Sequence, residues 1–267
     1  LKSNRSNVPG DLAEALERAQ PRLGRLASRL QHFPSIGSTN DVAASCTEGE
    51  VVVADEQTEG RGRRGHTWFS PPGSGLYVSL VLMPSLARVE PERATMVVTL
   101  MAGVALAEGI AAATGLHVDL KWPNDLHVTR RKLGGILAEA SGSGVGAERV
   151  IVGYGINVAA TSFPPELRDR ATSLESELGR PVDRHHVLIE TLVSLAQRYD
   201  DLLAGRFDAI LDAWRARAPA ANGGRVTWTT AAGSMTGVTC GIDDRGALLV
   251  GTGSGVERIV SGEVNWL

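Results

Sequence analysis

A chain of 267 residues has room for one sizeable core and a small second domain, at roughly 100–200 residues per domain. Its 43% hydrophobic and 21% charged residues are ordinary for a folded soluble protein, and a net charge of -3 gives no global field that would gather nucleic acid. No uninterrupted apolar run reaches the ~18 residues of a membrane span, and residues 1–7 lack the apolar centre of a signal peptide, so the expected location is the cytoplasm.

Along the chain, residues 11–33 have helical spacing interrupted by Pro21, which predicts a short helical preface. Cys46 and Cys240 have neither CxxC spacing nor a histidine cluster beside them, so each is read as a small buried hydrophobe rather than half of a disulfide or a zinc ligand. Residues 51–54 and 76–83 read as strands. The polar stretch between them, rich in glycine and proline and about twenty residues long, is of a length that is usually functional inside a compact domain. Apolar spacing over 92–114 predicts a long core helix that stops before Gly115.

Residues 133–139 and 150–158 predict two further strands. Their Gly134, Gly135, Gly153 and Gly155 remove side chains where something must approach the backbone, as on the floor of a ligand pocket. Helices are expected over 184–204 and 206–218, the first carrying His185 and His186, which are adjacent, cannot face one site together, and are read as surface residues. The composition shifts at 219–224, and the short strand-like runs beyond it, separated by glycine-rich turns, predict a small SH3-like barrel. The expected fold is α+β, a mixed sheet flanked by helices. Its expected division is a helical extension (1–33), a main domain (34–219) and the barrel (220–267).

The loop contains Gly60, Gly62 and Gly65, which satisfy GxGxxG, but the Thr67-Trp68-Phe69-Ser70-Pro71-Pro72 that follows does not open a helix, so a dinucleotide fold is excluded. What the loop offers is Arg61, Arg63 and Arg64 on a glycine backbone, a set able to fold over a polyphosphate. Beside them stand Trp68 and Phe69, able to stack on a nucleobase. Among the 27 lysines and arginines only Lys2, Lys121 and Lys132 are lysine. The last two bracket Trp122-Pro123-Asn124-Asp125, and a lysine provides a compact point charge that the arginine fork does not. Asp125 is a candidate Mg²⁺ ligand, because magnesium needs few protein carboxylates when phosphates supply the rest. Lys132 is a candidate contact to both a substrate carboxylate and the α-phosphate of ATP.

Taken together, Gly37-Ser38-Thr39-Asn40, the Gly60–Gly65 loop with Trp68-Phe69-Ser70, Lys121-Trp122-Pro123-Asn124-Asp125, Arg131-Lys132-Leu133-Gly134-Gly135 and Gly155-Ile156-Asn157-Val158 resemble the biotin protein ligases in order and spacing. The resemblance runs from about residue 34 to the C-terminus. It implies a catalytic domain like that of class II aminoacyl-tRNA synthetases. It also implies a two-step reaction, in which biotin and ATP give biotinyl-5′-AMP and pyrophosphate before biotin passes to a lysine of a carboxylase carrier domain.

Carried over by position, the resemblance implies that Ser38, Thr39 and Gln57 hold the ureido ring, with Asn40, Arg61, Gly62, Arg63, Lys132, Gly134 and Gly135 completing the biotin site. Arg61, Arg63, Arg64, Trp68, Asn124, Lys132 and Asn157 would contact ATP or the adenylate. Lys132, Arg63 and Asp125 would be catalytic, with Asp125 either holding Mg²⁺ or helping to deprotonate the incoming lysine. Family members that also repress transcription carry a winged helix-turn-helix of roughly 60 residues ahead of the ligase domain. With about 33 residues ahead of the first motif, this chain resembles the ligase-only branch. The expected partner is a biotin carboxyl carrier protein, without DNA or membrane, the enzyme being a monomer or homodimer. The alternative is a lipoate-ligase-like adenylating enzyme; the arginine-rich loop argues for biotin.

Overall fold

A computed structural model describes residues 8–141, 149–160, 163–230 and 233–267. Seven strands, β1 (Leu30–Phe33), β2 (Val51–Ala54), β3 (Gly75–Leu82), β4 (Asp119–Lys121), β5 (Asp125–Val128), β6 (Arg131–Ser141) and β7 (Arg149–Asn157), form one sheet in the order β1-β2-β3-β7-β6-β5-β4. The β1–β2 pair is parallel and the remaining pairs are antiparallel, so the sheet is mixed. All eight positions of β3 are buried. A strand covered on both faces reads as a continuous apolar run, as residues 76–83 do.

The helices are α1 (Gly10–Ala19), α2 (Thr39–Ala43), α3 (Pro91–Thr114), α4 (Leu174–Leu178), α5 (Arg184–Leu203) and α6 (Phe207–Arg217). Helices α3 and α5 pack on each other and on one face of the sheet, where Val51, Val78, Leu80, Val152 and Ile156 join the main core. On the other face α2 covers a small separate cluster of Ala43, Cys46, Val52, Val81 and Ile151. Helix α3 has the length and apolarity of a membrane span, but 67% of that window is buried inside the protein, and a helix apolar nearly all round is what a core position requires. It ends at Gly115, whose φ of 78° is a left-handed cap.

The helical preface expected over 11–33 is corrected. Helix α1 ends at Ala19 and a 3₁₀ turn, Gln20–Arg22, takes up Pro21, whose missing N–H and ring do not suit a helix interior. Leu23 and Leu26 are then buried without helix, and Leu30–Phe33 is a strand with alternating burial paired to β2. The segment is part of the main sheet and core.

Beyond α6, strands β8 (Asn222–Thr230), β9 (Gly233–Ile242), β10 (Leu248–Thr252), β11 (Gly255–Ile259) and β12 (Val264–Trp266) form an antiparallel sheet in the order β11-β10-β9-β8-β12. It is tied to the main sheet beside β4. Trp122 Nε1 donates to Gly246 O at 2.9 Å, and Arg93 Nε donates to Asp244 O at 2.8 Å. Both cysteines are free. Cys46 is buried as expected, whereas Cys240 is exposed on β9 and corrects the reading of it as a core residue.

Candidate active site

Ala54, Tyr77, Gly155, Gly135, Asp125 and Lys121 lie opposite one another in successive strands, from β2 across to β4. Directly opposed residues share a face, so the row places two glycines at the middle of the sheet with a carboxylate and an ammonium beside them. The indole of Trp68 lies in the trough the glycines leave. A Cβ at Gly155 would stand 2.3 Å from Trp68 Nε1, and one at Gly135 would stand 3.4 Å from Trp68 Cζ3. Close approach therefore requires the glycine at 155, while Gly135 leaves room for the Lys132 side chain, whose Cε would stand 3.2 Å from a Cβ there. Gly134 is out of phase with them. It pairs with Ile156, and a Cβ there would meet Gly155 O at 2.7 Å, so the absence of its side chain serves strand packing.

Lys132 precedes Gly135 by three residues, and an unbroken strand would send its side chain to the opposite face. A register shift between Leu126 and His127 sets Lys132 against His127. This bulge turns the lysine onto the glycine face. Its Nζ stands 2.6 Å from Asp125 Oδ1 and 5.5 Å from the Trp68 ring centroid. The contact with Asp125 is a close ion pair, and it holds the lysine head beside the glycines.

His127 Nε2, buried and unpartnered, stands 3.9 Å from Asp125 Oδ2. Burial is the largest influence on the Asp125 carboxyl and pushes its pKa up, but His127 and Lys132 outweigh it and hold the group below the usual carboxylate range. Each oxygen thus faces a cationic or donor side chain. Among the described residues no cluster of three His, Cys, Asp or Glu side chains forms, so Asp125 is a lone carboxylate that suits magnesium only where phosphates supply the remaining ligands.

The loop over residues 55–74 folds back on itself. Arg61 and Thr67 form an antiparallel bridge, and Gly62 N donates to His66 O at 2.7 Å. At the tip Arg64 is exposed with φ 56°. Arg63 reaches inward, donating from Nη1 to Asn124 Oδ1 at 3.2 Å, while Asn124 Nδ2 donates to Ile136 O at 2.7 Å. Burial first, and then the charge of Arg64, lower the Arg63 pKa. Arg61 turns the other way, to Asp41 at 2.7 Å and Glu139 at 3.5 Å.

A polar chain runs beneath the loop. Gln57 Oε1 accepts from Thr39 N at 2.9 Å and from Thr39 Oγ1 at 3.0 Å, and Gln57 Nε2 donates to Ser70 Oγ at 3.2 Å. The buried Ser79 hydroxyl lies 2.7 Å from Thr39 Oγ1 and 2.5 Å from Asn40 Oδ1, and Asn40 Nδ2 donates to Glu139 Oε2 at 2.6 Å. Gly153 makes room for that amide, since a Cβ there would stand 2.2 Å from Asn40 Oδ1. Ser38 is buried at the start of α2. At the end of β7, Asn157 Nδ2 donates to Thr172 O at 2.9 Å, and Thr172 N donates to Lys132 O at 2.9 Å. Asn157 therefore braces the backbone behind Lys132.

The structure thus brings together Thr39, Asn40, Gln57, Arg63, Trp68, Asn124, Asp125, Lys132 and Gly135, and leaves Arg64 at an exposed tip. Sequence reasoning missed Ser79, Glu139 and His127. Period-two counting would have found two of them, because Glu139 shares the parity of Gly135 in β6 and His127 that of Asp125 in β5.

Comparison with known proteins places the arrangement. Residues 33–157 match the biotin/lipoate A/B protein ligase family, and residues 223–265 match the biotin protein ligase C terminal domain. The chain is 37% identical over 263 residues to the bifunctional ligase/repressor BirA of Bacillus spizizenii, covering 96% of this chain and 79% of that protein. It is 35% identical over 216 residues to the biotin--[acetyl-CoA-carboxylase] ligase of Paracoccus denitrificans, covering 80% and 88%. Among solved structures, the biotin protein ligase from Aquifex aeolicus in complex with biotin and ATP is similar with a TM-score of 0.76 and 30% identity, over 89% of this chain and 98% of that one.

Proposed function

We propose, for a chain that belongs to the biotin protein ligase family, that biotin and ATP meet over the Gly135–Gly155 floor and that Lys132 is the charge that brings their anions together. The protein is an ATP-dependent biotin ligase, converting biotin and ATP to biotinyl-5′-AMP and pyrophosphate and passing biotin to a carboxylase lysine. The observation that carries the site assignment is the bulge that sets Lys132 beside Asp125 and Trp68 on the glycine face.

In the first step a biotin carboxylate oxygen attacks the α-phosphorus and the bond to the β-phosphate breaks. The two reactants are both anions, and a point charge between them lowers the repulsion as the new bond forms. Asp125 aims Lys132 before substrate arrives. Because the Asp125 carboxyl is held below its ordinary range, it is a weak acceptor for the incoming lysine's proton, and its main contribution is to position Lys132. Asp125 is the carboxylate that would hold Mg²⁺ carried in on the ATP phosphates, and that ion would supply neutralisation of their charge.

Ser38, Thr39, Asn40 and Gln57 are neutral donors and acceptors, suited to a ureido ring that carries no charge. Arg61, Gly62 and Arg63 form the strap over biotin and its adenylate, with Trp68 against the adenylate and Asn124 holding Arg63. Arg64 closes on phosphate, and Asn157 acts through the segment behind Lys132. A covered mixed anhydride is shielded from water until the acceptor arrives. The small C-terminal sheet is read as an SH3-like barrel, the main sheet as a relative of the class II synthetase fold, and the setting as cytoplasmic, without a DNA partner.

Isotope exchange between pyrophosphate and ATP tests the reading. We expect exchange that depends on biotin and is not supported by lipoate; exchange with lipoate alone, or none with either acid, overturns it.

A further inference from the structure

The loop over residues 55–74 carries Gln57 on its outgoing limb and Trp68 on its returning limb, and backbone bonds set the two limbs against each other. Trp68 N donates to Gly60 O at 2.8 Å, Gln57 N to Ser70 O at 3.2 Å and Gly73 N to Asp55 O at 3.0 Å. Each limb also has its own tie to the main domain: Ile36 bridges Gln57, and Tyr77 OH donates to Pro71 O at 3.1 Å.

The join between the two ends of the loop comes from the helical layer. Asp183 caps α5, accepting from His185 N at 2.9 Å and His186 N at 3.1 Å, and Arg184, the first residue of that helix, reaches out to the loop. Its Nη2 donates to Asp55 Oδ1 at 2.5 Å and its Nη1 donates to Gly75 O at 3.4 Å. One guanidinium thus bridges the residue at which the chain leaves β2 and the residue at which it enters β3. The arginine fork makes two such bonds in fixed directions, which a single ammonium does not.

Asp55 is gripped from a second side. His32 Nε2, on β1, stands 3.1 Å from Asp55 Oδ2, so both carboxylate oxygens are engaged by side chains from outside the loop. The Arg184 and Asp55 side chains are only 24% and 29% exposed, and solvent screens them less than a surface pair. Helix α5 is packed on α3 within the main core. Its first residue is therefore a fixed point against which the loop is held.

We infer that Arg184 is a positioning residue for the ligase reaction, joining the ends of the loop through Asp55 and Gly75 so that Gln57 and Trp68 stay closed over the adenylate. The inference rests on the ligase reading above. Arg184 touches no substrate in that reading and acts through the loop, whereas Lys132 and Asp125 stand on the strands β6 and β5. Its loss should therefore be felt in retention of the adenylate more than in its formation.

The test uses the full chain with Arg184→Gln, which removes the charge and the fork. Two rates are compared with wild type: biotin-dependent pyrophosphate exchange at saturating biotin and ATP, and release of preformed biotinyl-5′-AMP into solution without acceptor. We expect release to be about tenfold faster, as for loss of one charge-assisted bond, with exchange within about threefold. Asp55→Asn should do the same, and the double variant should release no more than about twofold faster than either single one, because the two changes cut one link. Arg184→Lys, which keeps the charge beside Asp55 without the second bond, should fall between wild type and Arg184→Gln, and it decides the matter if Arg184→Gln does not fold. Release at the wild-type rate overturns the inference. So does an equal change in release and exchange, which would make Arg184 merely structural, and so does a double variant whose effect is the product of the single ones. A wild-type enzyme without biotin-dependent exchange would instead refute the ligase reading itself, so the two failures are distinguishable.

Discussion

On the helical face of the main sheet, Val78, Leu80 and Val152 are fully buried against α3 and α5. On the other face, Gly135, Gly153 and Gly155 leave a trough occupied by Trp68 and Asn40, and the polar atoms there are incompletely satisfied. Trp68 Nε1 and His127 Nε2 are both buried without a hydrogen-bond partner. Buried polar groups are ordinarily paired, and leaving one unpaired costs about 1–3 kcal/mol. The same strands therefore carry two kinds of surface, one that stabilises the fold and one whose missing partners a ligand can supply.

The sharpest way to break this comparison is at Lys132. Lys132→Arg conserves charge but replaces a point with a planar fork that cannot sit between two anions, so adenylate formation should fall by on the order of 10³-fold. The melting temperature should change little, since the side chain is on the ligand face. Near-normal pyrophosphate exchange in this variant would remove the central role given to Lys132.

A matched pair of glycine substitutions sharpens the comparison further. Gly155→Ala adds a methyl 2.3 Å from Trp68 Nε1, and Gly109→Ala adds one 2.5 Å from Thr191 Cα and 2.7 Å from Thr191 N. The first can be relieved by moving a side chain; the second requires α3 and α5 to part. Gly155→Ala should cost within about 1 kcal/mol of stability and slow adenylate formation about 10- to 100-fold, because Trp68 and the ligand lose their common floor. Gly109→Ala should cost about 3 kcal/mol and leave the rate per folded molecule intact. Urea unfolding and exchange rates on both variants decide the matter, and a reversal of the two profiles would show that the faces are not divided as described.

Much of this division could be read before any coordinates. The apolar run over 76–83, the long helix ended by Gly115 and the glycine-bearing strands follow from periodicity and turn chemistry, and the structure has all three. Motif order marked Lys132, Asp125 and Trp68. Phase was harder. A bulge is one extra residue with no composition of its own, so the sequence set Gly134 and Gly135 together without separating their phases and gave no reason for Lys132 to face the glycines. Strand β1 was read as helix because its four residues follow a helical stretch and only pairing with β2 reveals them. Ser79 comes into view only when strand pairing sets it beside Asn40, whereas the parity of Glu139 with Gly135 is legible in the sequence.

The smallest expected effect lies on the helical face, where Glu190 of α5 is a buried charge. Arg22 grips it with two bonds, Nη1 to Oε1 at 2.9 Å and Nη2 to Oε2 at 2.7 Å. The bond to Arg22 is the largest influence on Glu190 and, with the charges of Arg22 and His186, holds its pKa below the ordinary value against the opposing effect of burial. A depressed carboxyl stabilises the fold fully above its unfolded pKa of about 4.3 and loses that contribution as pH falls through the folded value. Since Arg22 is half exposed, its removal in Arg22→Ala should cost only about 1 kcal/mol at pH 7. The gap between variant and wild type should narrow as pH is lowered toward 3, while exchange activity per folded molecule is the same in both. A gap that widens in acid would contradict the sign of the Glu190 shift, and a loss of activity would mean that this clamp reaches across the sheet to the ligand face.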